Sequence, residues 1–363
     1  MNDEQFMRLA LELAEKGEGT VNPNPLVGSV VVKDGTIVGQ GHHQAFGGPH
    51  AEVVALEQAR ENAHGATLYV SLEPCCYRGK TPPCTQQISD AGIARVVVAC
   101  RDPNPLVNGK GITRLQEAGI AVNEGVLAAE AQRINEIFFK FITTRLPFVQ
   151  IKLAMSLDGK IATRAGESRW ISGERSRIAA HKLRRKFSAV LVGVGTVISD
   201  DPQLTVRHVR GRDPIRIVLD GEGRIPLTAG LLHKAGRTIV ATAAMTTEKE
   251  TELLALGAEV WRFPDEKGNV DLQALMTRLG QAEIDSVLVE GGGEAVASFL
   301  EAEFVDKVSF FVAPILLGGR NAVPAVGGAG IESISSAPRI RNIDVERVGE
   351  DILICGYPEW KTA

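Results

Sequence analysis

The chain has 363 residues, 44% apolar and 23% charged, with a formal net charge of −4 at neutral pH. That length exceeds one ordinary core and implies two folded domains, and the composition excludes long disordered tracts. The acidic balance offers no general attraction to nucleic acid or anionic lipid, no apolar run approaches the roughly 20 residues of a membrane span, and MNDEQFMRLALELAEKG is acidic where a signal peptide would be basic, so a cytoplasmic location with neither nucleic acid nor membrane as partner is expected.

Phe6, Leu9, Ala10, Leu13 and Ala14 recur at helical spacing from residue 3 to 16, and Gly17 with Gly19 ends the run. Val27 to Val32 and Ile37 to Gly41 read as strands joined at Asp34-Gly35, a dipeptide that tolerates the positive φ angles of a tight hairpin. Alternation follows: a helix from about His50, a strand at ATLYVSL, a helix after Pro82-Pro83, a strand at RVVVAC, a helix near Ile112 to Ala118, a strand near Ile120 to Val122 and a long helix from Ala128. This predicts a mixed or parallel sheet covered on both faces, with chemistry at strand ends and helix starts. RLPFVQIKLAMSLDG restarts the chain, placing a boundary after residue 146. A second α/β series then runs through AVLVGVGTV, PIRIVLD, RTIVATAA, SVLVEGGG and VSFFVAPILLGG, and the C-terminal remainder reads as a completing hairpin.

Five cysteines, three of them clustered at Cys75, Cys76 and Cys84, argue for local metal chemistry over a disulfide framework. Upstream, HAEVVAL opens a helix with His50 and Glu52. Catalytic zinc keeps three protein ligands and an open position for water. One histidine and two cysteines meet that need, because the positive ends of helices favour thiolate. Glu52 suits a proton shuttle that need not touch the metal. Two alternatives stand beside this. His50 and Glu52 could decorate a helix start while the cysteines pack as small hydrophobes, or Cys76 could complete a purely structural four-ligand site.

The combination HAE with EPC resembles the zinc-dependent nucleoside and nucleobase deaminases, whose signature is HxE followed by PCxxC. Arg78 stands where the second cysteine of that signature would be, and the longer loop ending in GKTPPC is similar to the deaminase half of the bifunctional deaminase/reductases of riboflavin biosynthesis. NPNPLVG, GHH and RDPNPLVNGKG extend the resemblance over nearly the whole first half. It implies one zinc per chain on His50, Cys75 and Cys84, with Glu52 as the catalytic proton carrier. Asn24, His43, Lys80, Asp102 and Asn104 would hold a phosphorylated pyrimidine ribosyl substrate, whose 2-amino group is lost as ammonia. Asn24 and Asn104 adjoin prolines and could instead form turns, and Lys80 could be a solvated loop charge. Cys76 and Tyr77 stand where serine and histidine are frequent in that family, which leaves their roles open.

VLVGVGTV and VEGGGEAVASF each read as a strand entering a glycine-rich turn, followed in the second by a helix. Such turns let backbone amides approach phosphates, although neither matches the GxGxxG fingerprint and a plain strand-to-helix turn is the alternative. With KLAMSLDGKIAT, ESRWIS, VGVGTVISDDPQLTVR and APILLGG in order, the second half resembles the reductase half of the same family. The resemblance implies an N-terminal cytidine deaminase-like three-layer domain over residues 1–146 and a C-terminal dihydrofolate reductase-like α/β domain over residues 147–363. By position, Ala154, Trp170, Thr196, Asp200 and the run Gly291, Gly292, Gly293, Glu294, Ala295, Val296 and Ala297 would contact NADPH. Ser168, Arg184, Leu204, Arg207 and Glu290 would contact substrate, and either arginine could instead be a surface ion pair. Lys152, Asp200 and Glu290 are the polar groups available to manage the proton that accompanies hydride transfer, and the sequence does not choose among them. Competing readings are a nucleic-acid or free-base deaminase fused to an unrelated domain, or a second half that binds nucleotide without turnover. Homo-oligomerisation is left open.

Overall fold

The computed structural model describes residues 1–77 and 82–360. The chain divides into two compact units, Met1–Arg145 and Leu146–Ala363.

In the first unit, α1 (Asp3–Glu15) begins at a capping box in which Asn2 and Gln5 bond each other's backbone N–H. β1 (Gly28–Lys33) and β2 (Thr36–His42) form the expected hairpin, with Asp34 and Gly35 both at positive φ. α2 (Ala51–Ala59), β3 (Thr67–Val70), α3 (Cys84–Asp90), β4 (Arg95–Val98), α4 (Lys110–Glu117) and β5 (Ala121–Glu124) follow, then α5 (Ala128–Ile134) and α6 (Glu136–Thr144). Among the described residues the strands form a mixed sheet in the order β2-β1-β3-β4-β5, antiparallel at β2-β1-β3 and parallel at β3-β4-β5. Alternate strand residues serve opposite faces, as a period of two requires. Val30, Val32, Tyr69 and Val97 pack with Phe6, Ala10 and Phe138, whereas Val31, Leu68, Val70 and Val96 pack with Ala55, Ile88 and Leu115. The result is three layers.

The single long helix expected from Ala128 is in fact two. Asn135 leaves helical geometry at φ −104, ψ 14, and its amide pairs with the backbone of Leu26, accepting from the N–H at 2.8 Å and donating to the carbonyl at 3.0 Å. A buried asparagine that satisfies a distant loop has displaced the local helical ladder.

The second unit contains β6 (Phe148–Ser156), β7 (Lys160–Ala162), α7 (Glu174–Lys186), β8 (Ala189–Gly193), α8 (Val194–Asp200), β9 (Ile215–Leu219), β10 (Thr238–Thr242), α9 (Thr247–Ala255), β11 (Glu259–Arg262), α10 (Leu272–Gln281), β12 (Ser286–Val289), α11 (Gly293–Glu301), β13 (Lys307–Ala313), β14 (Val323–Pro324), β15 (Arg339–Val348) and β16 (Asp351–Glu359). The main sheet runs β11-β10-β9-β8-β12-β6-β13-β16-β15, parallel from β11 through β13 and antiparallel at the C-terminal hairpin. Its two faces carry separate cores, one with Leu275, Val296 and Phe299 from α10 and α11, the other with Val197 and Leu253 from α8 and α9. VLVGVGTV also departs from expectation, because its glycines lead directly into α8. Ligands of open parallel sheets bind outside the carboxyl ends of the strands. Lys152 lies on β6, Gly193 ends β8, and Glu290 follows β12. Among the described residues, no helix is long and apolar enough to cross a membrane.

Candidate active sites

In the first unit, close backbone approaches fix where His50 stands. α2 lies directly on β2 because Gly39 and Gly41 have no side chains. A Cβ there would come within 2.1 Å of the Ala55 carbonyl oxygen and 2.5 Å of the Ala51 carbonyl oxygen, respectively. His50 occupies the N-cap of α2 and Cys84 the first residue of α3, while Cys75 lies on the segment leaving β3. The ligand atoms of His50, Cys75 and Cys84 lie within 4.8 Å of one another. His50 Nδ1 is 3.1 Å from Cys84 Sγ and 3.6 Å from Cys75 Sγ, and the Cys84 N–H donates to Cys75 Sγ at 3.3 Å.

A tetrahedral zinc with ordinary Zn–S and Zn–N bonds separates sulfur from nitrogen by about 3.6 Å, which the His50–Cys75 pair matches and the His50–Cys84 pair, at 3.1 Å, falls short of. The hydrogen bond from Cys84 and that from His50 draw the Cys75 thiol down to about 4, and the bond with Cys75 lifts His50 to about 8. Cys84 is pushed in the opposite direction by Cys75 and by burial.

Glu52 is buried at 3% exposure, and burial raises its carboxyl pKa. Asn24 and His43 come together, with Asn24 Nδ2 3.0 Å from His43 Nε2 and His43 Nδ1 2.9 Å from the Pro49 carbonyl oxygen. That carbonyl accepts from Nδ1–H, which leaves Nε2 as the acceptor for the asparagine amide. The His43 ring lies edge-on to His50, with centroids 5.6 Å apart. Asp102 and Asn104 are both buried; the Asp102 carboxylate accepts from the Asn104 N–H at 2.8 Å, and burial pushes its pKa up to about 7. Lys80 lies outside the described residues. Cys76 is buried but faces away from the cluster, its Sγ 3.6 Å from the Leu106 carbonyl oxygen, and Tyr77 is largely exposed. Cys76 therefore supplies no fourth donor to His50, Cys75 and Cys84.

In the second unit a cavity of about 470 Å³ opens beside the strand ends. Among residues singled out from the sequence, Lys152, Ala154, Ser168, Trp170, Arg184 and Thr196 line it. So do Asp200, Leu204, Arg207, Glu290, Gly291 and Gly292. Gly293, Glu294, Ala295, Val296 and Ala297 do not; they form the start of α11, where Val296 packs into the core.

A buried charge cluster anchors the cavity. Arg184 donates to both oxygens of Glu290, Nε to Oε1 at 2.5 Å and Nη2 to Oε2 at 2.8 Å, while Lys152 Nζ lies 3.6 Å from Oε2. Arg184 also donates to the Thr205 carbonyl at 3.0 Å. The arginine and lysine charges overcome burial and hold the Glu290 carboxyl down to about 2, whereas burial lowers the Lys152 pKa. Asp200 accepts from Ser168 Oγ at 3.0 Å and Ser199 Oγ at 3.1 Å. Trp170 is 68% exposed and is covered on one face by the Arg177 guanidinium, 4.5 Å from the ring centroid.

The sequence does not single out two residues that the structure does, one in each unit. His181 lines the cavity and accepts the Arg207 N–H on Nδ1 at 3.2 Å, and its ring meets His208 edge-on at 4.7 Å. Burial and then Arg184 bring His181 down to about 4, so it is neutral near pH 7. The signal available was position, since His181 stands three residues before Arg184 on one helix and shares its face. In the first unit, Glu73 was read only as part of EPC.

Two family models match the chain: the cytidine and deoxycytidylate deaminase zinc-binding region over residues 1–100, and the RibD C-terminal domain over residues 147–354. The riboflavin biosynthesis protein RibD of Aquifex aeolicus is 47% identical over 353 residues, covering 97% of each chain. Among solved structures, Acinetobacter baumannii RibD superposes with a TM-score of 0.88 at 40% identity, covering 98% of this chain and 99% of the other. A diaminohydroxyphosphoribosylaminopyrimidine deaminase/5-amino-6-(5-phosphoribosylamino)uracil reductase from Thermotoga maritima gives 0.87 at 40% identity with the same coverage. With both matches in one polypeptide and relatives alike along almost its entire length, the chain belongs to the RibD family of riboflavin biosynthesis, whose members join a zinc-binding deaminase domain to a reductase domain.

Proposed function

We propose that the first unit hydrolyses the 2-amino group from 2,5-diamino-6-(5-phosphoribosylamino)pyrimidin-4-one, and that the second reduces the ribosyl group of the product to a ribityl chain with NADPH. The observation that carries the first half is the convergence of His50, Cys75 and Cys84 beside buried Glu52. These three residues would hold zinc, which when bound supplies Lewis acidity towards an attacking water. Glu52 takes a proton from that water and returns one to the departing amine nitrogen, a task suited to a carboxyl whose pKa burial has raised. Asn24, through its amide bonded to His43, and Asp102 with Asn104 orient the pyrimidine and its ribose phosphate. A free phosphorylated pyrimidine, and not a nucleic acid, suits the acidic chain.

In the second unit, NADPH when bound supplies hydride to C1 of the ring-opened imine, whose nitrogen then needs a proton. Both Glu290 oxygens are occupied by Arg184, so the carboxylate has no proton to give. Lys152 keeps donor protons beside it and is the group we assign to deliver one. Arg207, whose backbone N–H bonds His181 at the cavity wall, is the group we assign to grip the substrate phosphate. Trp170, Thr196, Gly291 and Gly292 are the cavity residues suited to the cofactor, the glycines because they let a ligand approach the backbone closely.

The test follows ammonia release and NADPH oxidation separately when purified protein meets the diaminopyrimidine ribosyl phosphate. Ammonia without NADPH loss sinks the reductase half. A zinc-loaded protein that releases no ammonia sinks the deaminase half.

A further inference from the structure

Glu73 follows β3 and immediately precedes Pro74 and the metal-site residue Cys75, yet its side chain turns away from the His50, Cys75 and Cys84 cluster. It is buried at 3% exposure, and its carboxylate collects four backbone N–H groups. Oε2 accepts from Asp102 at 3.3 Å and Gly109 at 2.9 Å; Oε1 accepts from Gly111 at 2.9 Å and Ile112 at 3.2 Å. All four donors belong to the segment that leaves β4, carries Asp102 and Asn104, and enters α4. Two of them are free N–H groups of the α4 start, where an acceptor and a negative charge are both favourable. The contact is close on the backbone side as well, since a Cβ on Gly111 would lie 2.2 Å from the Pro74 carbonyl oxygen.

We infer that Glu73 is a positioning residue for deamination, a clamp that locks the substrate-contact loop from Asp102 to Ile112 onto the segment bearing Cys75. The inference rests on the deaminase reading above. A loop made of RDPNPLVNGKG has no sheet ladder of its own, so without the carboxylate its backbone donors have no protein acceptor from the β3 side. With it, the loop's two ends are tied to one point, and Asp102 and Asn104 are set at a fixed depth beside the metal site. The clamp thus acts on substrate placement, and it does so without contributing a ligand or a proton.

Glu73→Gln tests this at nearly constant volume. A glutamine keeps one acceptor oxygen but turns an NH2 towards two of the four N–H donors, which cannot accept from it. Ammonia release by the wild-type chain decides the deaminase reading by itself; the clamp is decided by the ratio of variant to wild type. The expected result is a KM for deamination raised at least tenfold, zinc held at one per chain, and NADPH oxidation unchanged when the deaminated ribosyl product is supplied directly. Hydrogen exchange, read without any turnover, should be at least tenfold faster at Asp102, Gly109, Gly111 or Ile112 while α1 and β1 keep wild-type protection. An unchanged KM with unchanged exchange at these amides overturns the clamp. So does loss of zinc with exchange raised across the whole unit, which would make Glu73 a general stabiliser of the fold.

Discussion

Replacing Glu290 with glutamine removes the one negative charge between two buried cations. The Glu290 side chain is 6% exposed, Arg184 12% and Lys152 14%, so none is screened well by water. The depression of the carboxyl pKa from 4.5 to about 2 corresponds to about 3 kcal/mol in favour of the charged form. Removing one partner of a buried ion pair costs about 3 to 5 kcal/mol, because the other is left uncompensated. The two figures agree. Glu290→Gln should therefore lower the unfolding midpoint of the Leu146–Ala363 unit by about 6 to 20 °C, at about 2 to 4 °C per kcal/mol for a unit of this size. NADPH oxidation should fall as well, because Lys152 and Arg184 lose the carboxylate that fixes both beside the cavity. Differential scanning calorimetry read beside the two activity assays checks both, with ammonia release as the internal control. Acid gives an independent reading of the sign. Because the folded pKa is depressed, this stabilisation is fully present above pH 4.5 and is lost as pH falls towards 2. A midpoint within 2 °C of wild type together with undiminished NADPH oxidation would refute the charge-cluster argument.

Lys152→Met removes the desolvated cation and leaves the Arg184–Glu290 pair intact, so NADPH oxidation should be lost with no fall in the unfolding midpoint; lowered stability with retained oxidation would mark a structural lysine. Zinc analysis should find one ion per chain in Cys76→Ser and none in Cys84→Ala, and the reverse pattern overturns the ligand set. Gly41→Ala drives a methyl towards the Ala51 carbonyl at the start of α2, so weakened zinc retention against a chelator is expected, while NADPH oxidation with the deaminated product supplied continues as before. His181 is kept neutral, with its pKa lowered to about 4, so the second unit should lose stability as pH falls from about 6.5 to 4. His181→Gln should flatten that decline in a pH series of thermal midpoints.

The convergence of His50, Cys75 and Cys84 was legible in the sequence because its parts are local rules. HAE opens a helix, EPC leaves a strand, and PPC opens the next helix, so each donor is delivered by its own short motif. The EPC match named Cys75; what it left open was whether Cys76 joins it as a fourth donor. Cys75 and Cys76 are adjacent, and the direction of each side chain depends on how the segment after β3 is turned; Cys76 ends against Leu106, thirty residues away. The break at Asn135 was hidden for the same reason. The residues from Ala128 to Thr144 favour helix locally, and the partner that wins is the backbone of Leu26, 109 positions earlier. Glu73 sits inside the EPC motif with no signature of its own, since its four partners are all backbone N–H groups.

The reductase cavity was legible to a lesser degree, and the difference is physical. Its anchor joins Lys152 on β6, Arg184 on α7 and Glu290 after β12, with the arginine and glutamate 106 residues apart. Sheet order brings them together, because β12 lies between β8 and β6, and sheet order has no local code. Sequence reading could name Lys152, Asp200 and Glu290 as polar candidates and Arg184 as a substrate contact, but could not see that Arg184 and Glu290 neutralise each other. Geometry makes that choice. A carboxylate gripped at both oxygens by one guanidinium is committed to holding charge, and under the proposed function the proton that accompanies hydride transfer is left to the lysine beside it. Any catalytic role for Glu290 is therefore exercised through Lys152 and Arg184, which is why its glutamine variant should injure stability and turnover together, and the Lys152 variant turnover alone.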